Sequence, residues 1–155
     1  MRFRNKTSSL RGTESGQAMV EFLLVILFVF LVFVSILQFI LLMYGYTTLA
    51  NSAKEGIRYA VVHGTGAGSA SCSGPGSPGI TCNDSAGDQV RIRVSQFASL
   101  SLQNVGISDV SVTYPGGCSA PGCEVKVTVS HGYNPLFLSW PNVTLNAAAD
   151  GQIMN

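Results

Sequence analysis

The chain has 155 residues, 46% of them hydrophobic and only 11% charged, with nine Lys/Arg against eight Asp/Glu. That length favours one domain plus an appendage. Residues 1–16 hold four of the basic residues and one acid, so the remainder is weakly acidic, with five Lys/Arg and seven Asp/Glu, which argues against a nucleic-acid partner.

The basic leader, residues 1–16, carries Arg2, Arg4, Lys6 and Arg11. From Phe22 to Tyr44 no charge appears in 23 positions, and Ser35 and Gln38 are the only clearly polar side chains. A helix needs about 20 apolar residues to cross a hydrocarbon core of roughly 30 Å, so this run is a transmembrane span at about 22–44. It is too long for the core of a secretory signal, and no small-x-small cleavage site follows it. A buried core helix would show a polar face, and this run has none. The flanking charge keeps the N-terminus cytoplasmic and sends the chain beyond about Tyr46 across the lipid bilayer.

Helical spacing continues past the span through "TTLANSAKEGIRYAVVHG", with Leu49, Ala53, Ile57 and Ala60 or Val61 on one face and Lys54, Glu55 and Arg58 largely on another. No proline interrupts it, and Gly64-Thr65-Gly66 supplies a stop. One helix over 17–63 would be ~70 Å long, about twice what a bilayer requires, so its outer half needs something to pack on. Ala50, Ala53 and Gly56 recur every third position and, with Gly45, offer a surface of close approach. That surface suits either another helix backbone or the chain's own β-domain, and the sequence leaves both open.

Residues 64–87, "GTGAGSASCSGPGSPGITCNDSAG", form a small-residue loop with no helix or strand signal. It reads as a flexible linker or, given its two cysteines, a stapled excursion. Gly64-x-Gly66-x-Gly68 is only superficially a phosphate loop, since it follows a helix and holds no lysine. All four cysteines, Cys72, Cys82, Cys118 and Cys123, lie in the part beyond the span, where an oxidising compartment favours disulfides. The local pairing, Cys72–Cys82 and Cys118–Cys123, closes two short Gly/Pro/Ser loops. The spacings C-x9-C and C-x4-C do not fit the usual zinc pattern.

The stretch from Asp84 is ambiguous. Val90, Ile92 and Val94 alternate as in a strand, while Val90, Val94, Phe97 and Ser101, after caps at Asp84 or Ser85, are spaced as in a helix, which is the expectation here. Strands follow: Val110, Val112 and Tyr114 alternate, then Val125, Val127 and Val129, with a turn-rich "PGGCSAPGC" between. A Cys118–Cys123 bridge there would pin the hairpin register. After the aromatic, proline-containing "NPLFLSWP", "NVTLNAAADGQIM" supplies a third strand. The part from 64 to 155 is therefore an exported α+β domain, small enough to need disulfides and the extended helix to complete its core.

No catalytic constellation is legible. His63 and His131 each sit beside a glycine without an acidic neighbour in sequence, and no nucleophile elbow, H-E-x-x-H or haem motif occurs. Asp84, Asp88 and Asp109 match no calcium loop. Asn142-Val143-Thr144 is a lone glycosylation sequon. The expectation is a protein that is not an enzyme and carries neither metal nor cofactor.

Glu21, at the mouth of the apolar run, is the remaining oddity. A carboxylate there lies five residues after Gly16 and just before Phe22. The pattern Gly–x–x–x–x–Glu–Phe ahead of an apolar helix resembles the processing site of type IV pilins and pseudopilins. The resemblance implies that prepilin peptidase cuts after Gly16, making Gln17 the new N-terminus and Glu21 the fifth mature residue. In a filament core of low dielectric an unpaired carboxylate is expensive, and a neighbouring subunit's new α-amino group would neutralise it.

More narrowly, "GQAMVEF" and "ANSAKEGIRYA" (Ala50 to Ala60) resemble the opening and the Ala-x-x-Gly-Ala-Arg-x-Ala segment of the TadE-like family of the tight-adherence (Flp) pilus, with Ile57 where alanine is commoner. "VKVTVSHGYNPLFLSW" resembles that family's strand and proline-hydrophobic turn. The resemblance implies a pilin-like α+β fold behind a long N-terminal helix and a non-enzymatic pseudopilin or minor pilin. Its partners would be prepilin peptidase, other pilin or pseudopilin subunits and an inner-membrane assembly platform. Its place would be the bacterial inner membrane, N-terminus inside, with the C-terminal domain periplasmic or extracellular, or a surface pilus. The rival expectation is a single-pass anchor presenting a disulfide-bonded adhesive or binding module.

Overall fold

A computed structural model of the chain describes residues 11–99, 104–133, 135 and 143–155, with side chains from Gly16 onward. The class is the expected one: a long N-terminal apolar helix, one further helix and a three-stranded antiparallel sheet. Helix α1 spans Arg11–Val62, α2 spans Asp88–Ala98, and the strands are β1 (Val110–Thr113), β2 (Glu124–Tyr133) and β3 (Val143–Gln152). Short 3₁₀ turns occupy Thr65–Ala67 and Ile107–Asp109. The chain divides into two compact units, 1–40 and 41–155, and α1 contributes to both.

In the first unit, α1 runs without a break from Arg11 through Gln17. From Met19 to Phe33 its large apolar side chains are solvent-exposed on every face, which a water-soluble helix avoids. The helix segment Gly16–Val62 is long and apolar enough to cross a membrane.

The second unit is built around α1's outer half. Leu49, Ala53, Ile57 and Ala60 are buried there, one stripe at helical spacing, and Val61 is partly buried beside them. The sheet is a meander in the order β1-β2-β3. Its register pairs Val110 with Val129 and Val112 with Val127 on one side, and Val127 with Ala149 and Tyr133 with Val143 on the other. Val125, Val127 and Val129 are fully buried between polar neighbours that face outward, as period-2 alternation dictates for a sheet covered on one face. At roughly 1.5–3 kcal/mol per buried valine, this central strand is a major part of the core.

The ambiguous stretch is helical. Val90, Val94 and Ala98 are buried at i, i+4 and i+8, and Ile92 falls off that stripe. Ser101 lies outside the described residues. Local hydrogen bonding tips the balance toward helix. Asp84 Oδ1 accepts the Asp88 N–H at 2.7 Å and Oδ2 accepts the Gln89 N–H at 2.9 Å, which satisfies two orphan donors of the first turn. Gly87 precedes the helix at φ 73°, a left-handed conformation natural to glycine.

Candidate functional site

Gly16, Gln17 and Glu21 are exposed on α1, and a Cβ at Gly16 would meet nothing within 4 Å. Gln17 and Glu21 are four residues apart on an unbroken helix, so they share a face. Chain accessible at Gly16 and a carboxylate one turn beyond Gln17 are what the described residues place here.

The small-residue positions all lie in the second unit, and their neighbours come from the same chain. Ala53 is fully buried, and Ala50 is partly buried against the core. A Cβ at Gly45 would sit 3.6 Å from Leu145 Cδ1 of β3. A Cβ at Gly56 would run into Val94 Cγ2 of α2 and lie 3.4 Å from Val127 Cγ1 of β2. Of the two uses left open by the sequence, this surface is occupied by the chain's own sheet and second helix.

The Gly/Ser/Cys loop is a packed excursion, not a flexible linker. Cys72 is bonded to Cys82 and Cys118 to Cys123, with no free cysteine. Ser73 N–H donates to His63 O at 2.7 Å, and Gly74 N–H to Asp84 O at 2.7 Å. Ser119, fully buried in the second disulfide loop, joins the two stapled loops: its N–H donates to Gly76 O at 2.9 Å and its Oγ accepts the Gly76 N–H at 2.9 Å. The glycines once comparable to a phosphate loop have another reason. Space at Gly64 is taken by Ile153 and Asn155, and at Gly66 by Asn155, as the segment after β3 folds over the end of α1. There Met154 N–H caps Val61 O at 3.0 Å.

Both histidines are engaged. His63 stacks on Tyr59 with ring centroids 3.9 Å apart, and its Nδ1–H donates to Tyr59 O at 2.9 Å. It borders an open cleft of about 470 Å³ with Ser73, Asn83, Asp84 and Asp88. The acids there are committed: Asp84 accepts the Ser73 hydroxyl at 2.7 Å besides the helix N–H groups, and Asp88 pairs with Arg91 at 3.2 Å. Burial alone would raise the Asp84 carboxyl's pKa, but the bonds from Ser73, Gln89, Asp88 and Gly87 outweigh it and hold it below the usual range.

His131 Nδ1 lies 2.6 Å from Asp109 Oδ2, joining β2 to the 3₁₀ turn before β1. That hydrogen bond, against opposing burial and with help from the Gly106 N–H, the histidine's charge and Ser108, lowers the Asp109 pKa. Sequence reading missed this pair because the two residues are 22 apart. A signal existed: His131 shares the inward parity of Val127 and Val129, and an inward polar side chain requires a partner. Asp84 and Asp88 thus sit at the start of α2 and Asp109 elsewhere. Among the described residues no group of three or more His, Cys, Asp or Glu could hold a metal. Asn142 of the sequon lies outside the described residues.

An apolar, exposed N-terminal helix, the one candidate span among the described residues, joined to a small disulfide-bonded α+β unit suggests a membrane-anchored class of protein. Residues 16–58 match the family model of TadE-like protein, so the segment from Gly16 through most of the outer helix is similar to that family. No curated protein and no solved structure matches the chain.

Proposed function

We propose that this chain is a pilin-like subunit, a pseudopilin or minor pilin, of a tight-adherence type IV pilus system. It is processed by prepilin peptidase after Gly16 and assembled through its hydrophobic helix. The observation that carries this reading is the TadE-like match, which begins at Gly16 and includes Glu21. The exposure of the apolar helix from Met19 to Phe33 supports it: such a surface suits lipid before assembly and neighbouring helices after it. The N-terminus is cytoplasmic and the second unit lies across the membrane, in keeping with the basic leader and with disulfides that persist outside the cytosol.

Glu21 acts as a register mark. Once cleaved, the chain begins at Gln17, whose α-amino group stands ~6 Å along the axis from Glu21. In a bundle of such helices the Glu21 carboxylate of one subunit pairs with the amine of the next, and an axial slip leaves a carboxylate unpaired in low dielectric. Mass spectrometry of the mature protein, produced with its prepilin peptidase, should find Gln17 as first residue. A chain still beginning at Met1 refutes the processing step. Glu21→Ala should be cleaved but fail to join filaments, and normal incorporation refutes the pairing. The rival reading, an anchor presenting an adhesive or binding module, is favoured by the disulfide-stapled second unit. It requires that an unrelated span replacing residues 17–44 preserve function, whereas the pilin reading requires that function be lost.

A further inference from the structure

The two ends of the second unit differ in charge. The chain enters at Leu41, the apolar run closes at Tyr46, and Leu145 of β3 packs at Gly45. At this end the Tyr133–Val143 pair begins the β2–β3 ladder, and the turn Ile107–Asp109 is held to it through the bond from His131 to Asp109. Tyr44, Tyr46, Ile107 and Val143 are exposed here by 50%, 45%, 49% and 38%. The carboxylate of Asp109 is bonded to His131, to the Gly106 N–H and to Ser108, so it does not present a bare charge.

The charged groups of β2, β3 and the outer half of α1 lie away from this end. Lys126 and Asp150 pair across the sheet near its opposite end, next to Glu124; Asp150 is ~23 Å along β3 from Val143 at strand rise. On α1 the first charges beyond Tyr46 are Lys54 and Glu55, ~12 Å further along the helix. Apolar side chains are exposed elsewhere too, at Ile80 for example, but among the described residues those at the entry end, Tyr44 and Tyr46, continue along α1 from the candidate span.

We propose that this end of the second unit rests on the bilayer itself, with Ile107 and Val143 in the headgroup–acyl boundary beside Tyr44 and Tyr46. Tyrosine favours that boundary, and apolar side chains without free charge gain from entering it. The His131–Asp109 bond gives the Asp109 carboxylate a partner where water is scarce. The inference rests on reading α1 as a membrane span, and its experiment separates the two.

Nitroxide labels are placed by Ile107→Cys, Val143→Cys, Ile80→Cys and Phe30→Cys in the full-length protein. The protein is reconstituted in phosphatidylethanolamine/phosphatidylglycerol vesicles at low protein-to-lipid ratio. Collisions with oxygen, which concentrates in lipid, and with a water-soluble nickel chelate are then compared. Labels at 107 and 143 should meet nickel severalfold less, and oxygen more, than the label at 80. Nickel access equal to that at 80 overturns the proposal. Shielding from both relaxants that grows with protein-to-lipid ratio also overturns it, by showing that a second copy covers this end. A label at 30 open to nickel removes the span reading and the inference together. Where either cysteine variant loses its disulfides or protease resistance, the other position decides alone.

Discussion

Asp84→Ala is the perturbation whose effect the structure specifies most fully. The carboxylate accepts the Asp88 and Gln89 N–H groups and the Ser73 hydroxyl, and Ser73 is 1% exposed. Loss of a helix cap costs about 0.5–2 kcal/mol, and a buried hydroxyl left without an acceptor about 1–3 kcal/mol. Since partial relaxation of the loop recovers some of each, the expected loss is ~2–4 kcal/mol, a large share of the 5–15 kcal/mol typical of a domain. Asp84→Asn keeps one acceptor oxygen and should lose ~1 kcal/mol. Because the folded carboxyl sits below its usual range, its contribution is complete above the unfolded value, about 3.9, and disappears as pH falls through the folded value. The difference between wild type and Asp84→Asn should therefore narrow in acid. The assay is pulse proteolysis in urea of the full-length protein in detergent, reading cleavage at Arg91 and Arg93 within α2. A loss in Asp84→Ala below ~0.5 kcal/mol, within the range of ordinary surface substitutions, would refute the reasoning. So would strict additivity of Asp84→Ala with Ser73→Ala, since a shared bond must show coupling.

Gly56→Ala should destabilise the unit by ~1 kcal/mol, because overpacking against Val94 (about 1–3 kcal/mol) exceeds the helix-propensity gain; the added Val94→Ala should relieve that clash, visible as non-additive urea midpoints. Asp109→Asn should lower the urea midpoint at neutral pH, and the gap to wild type should close as pH falls through the folded Asp109 value, since its pKa is depressed in the folded state. Replacing Cys72 and Cys82, or Cys118 and Cys123, by serine should each cost about 2–3 kcal/mol by loop entropy, read in the same assay. A pair whose removal changes nothing would show that loop to be held by its hydrogen bonds alone.

The sequence by itself determined whatever follows from local periodicity and composition. A charge-free run of 23 residues specifies a helix long and apolar enough to cross a membrane, and its helical spacing carries on to Ala60. Alternating valines specify β1 and β2, and short cysteine separations favour the pairs that form. The choice between helix and strand after Asp84 was nearly local too, since the capping carboxylate precedes the valines by only a few residues. Tertiary structure alone decided what depends on where distant segments meet. Gly76 meets Ser119 across 43 residues and Asp109 meets His131 across 22. Gly56 could have faced a second helix backbone, and it is Val94 and Val127 that come to it. A side chain's period tells which way it points; what it finds there depends on register and loop path. For Glu21 the same reason applies with more force, because its proposed partner is on another molecule.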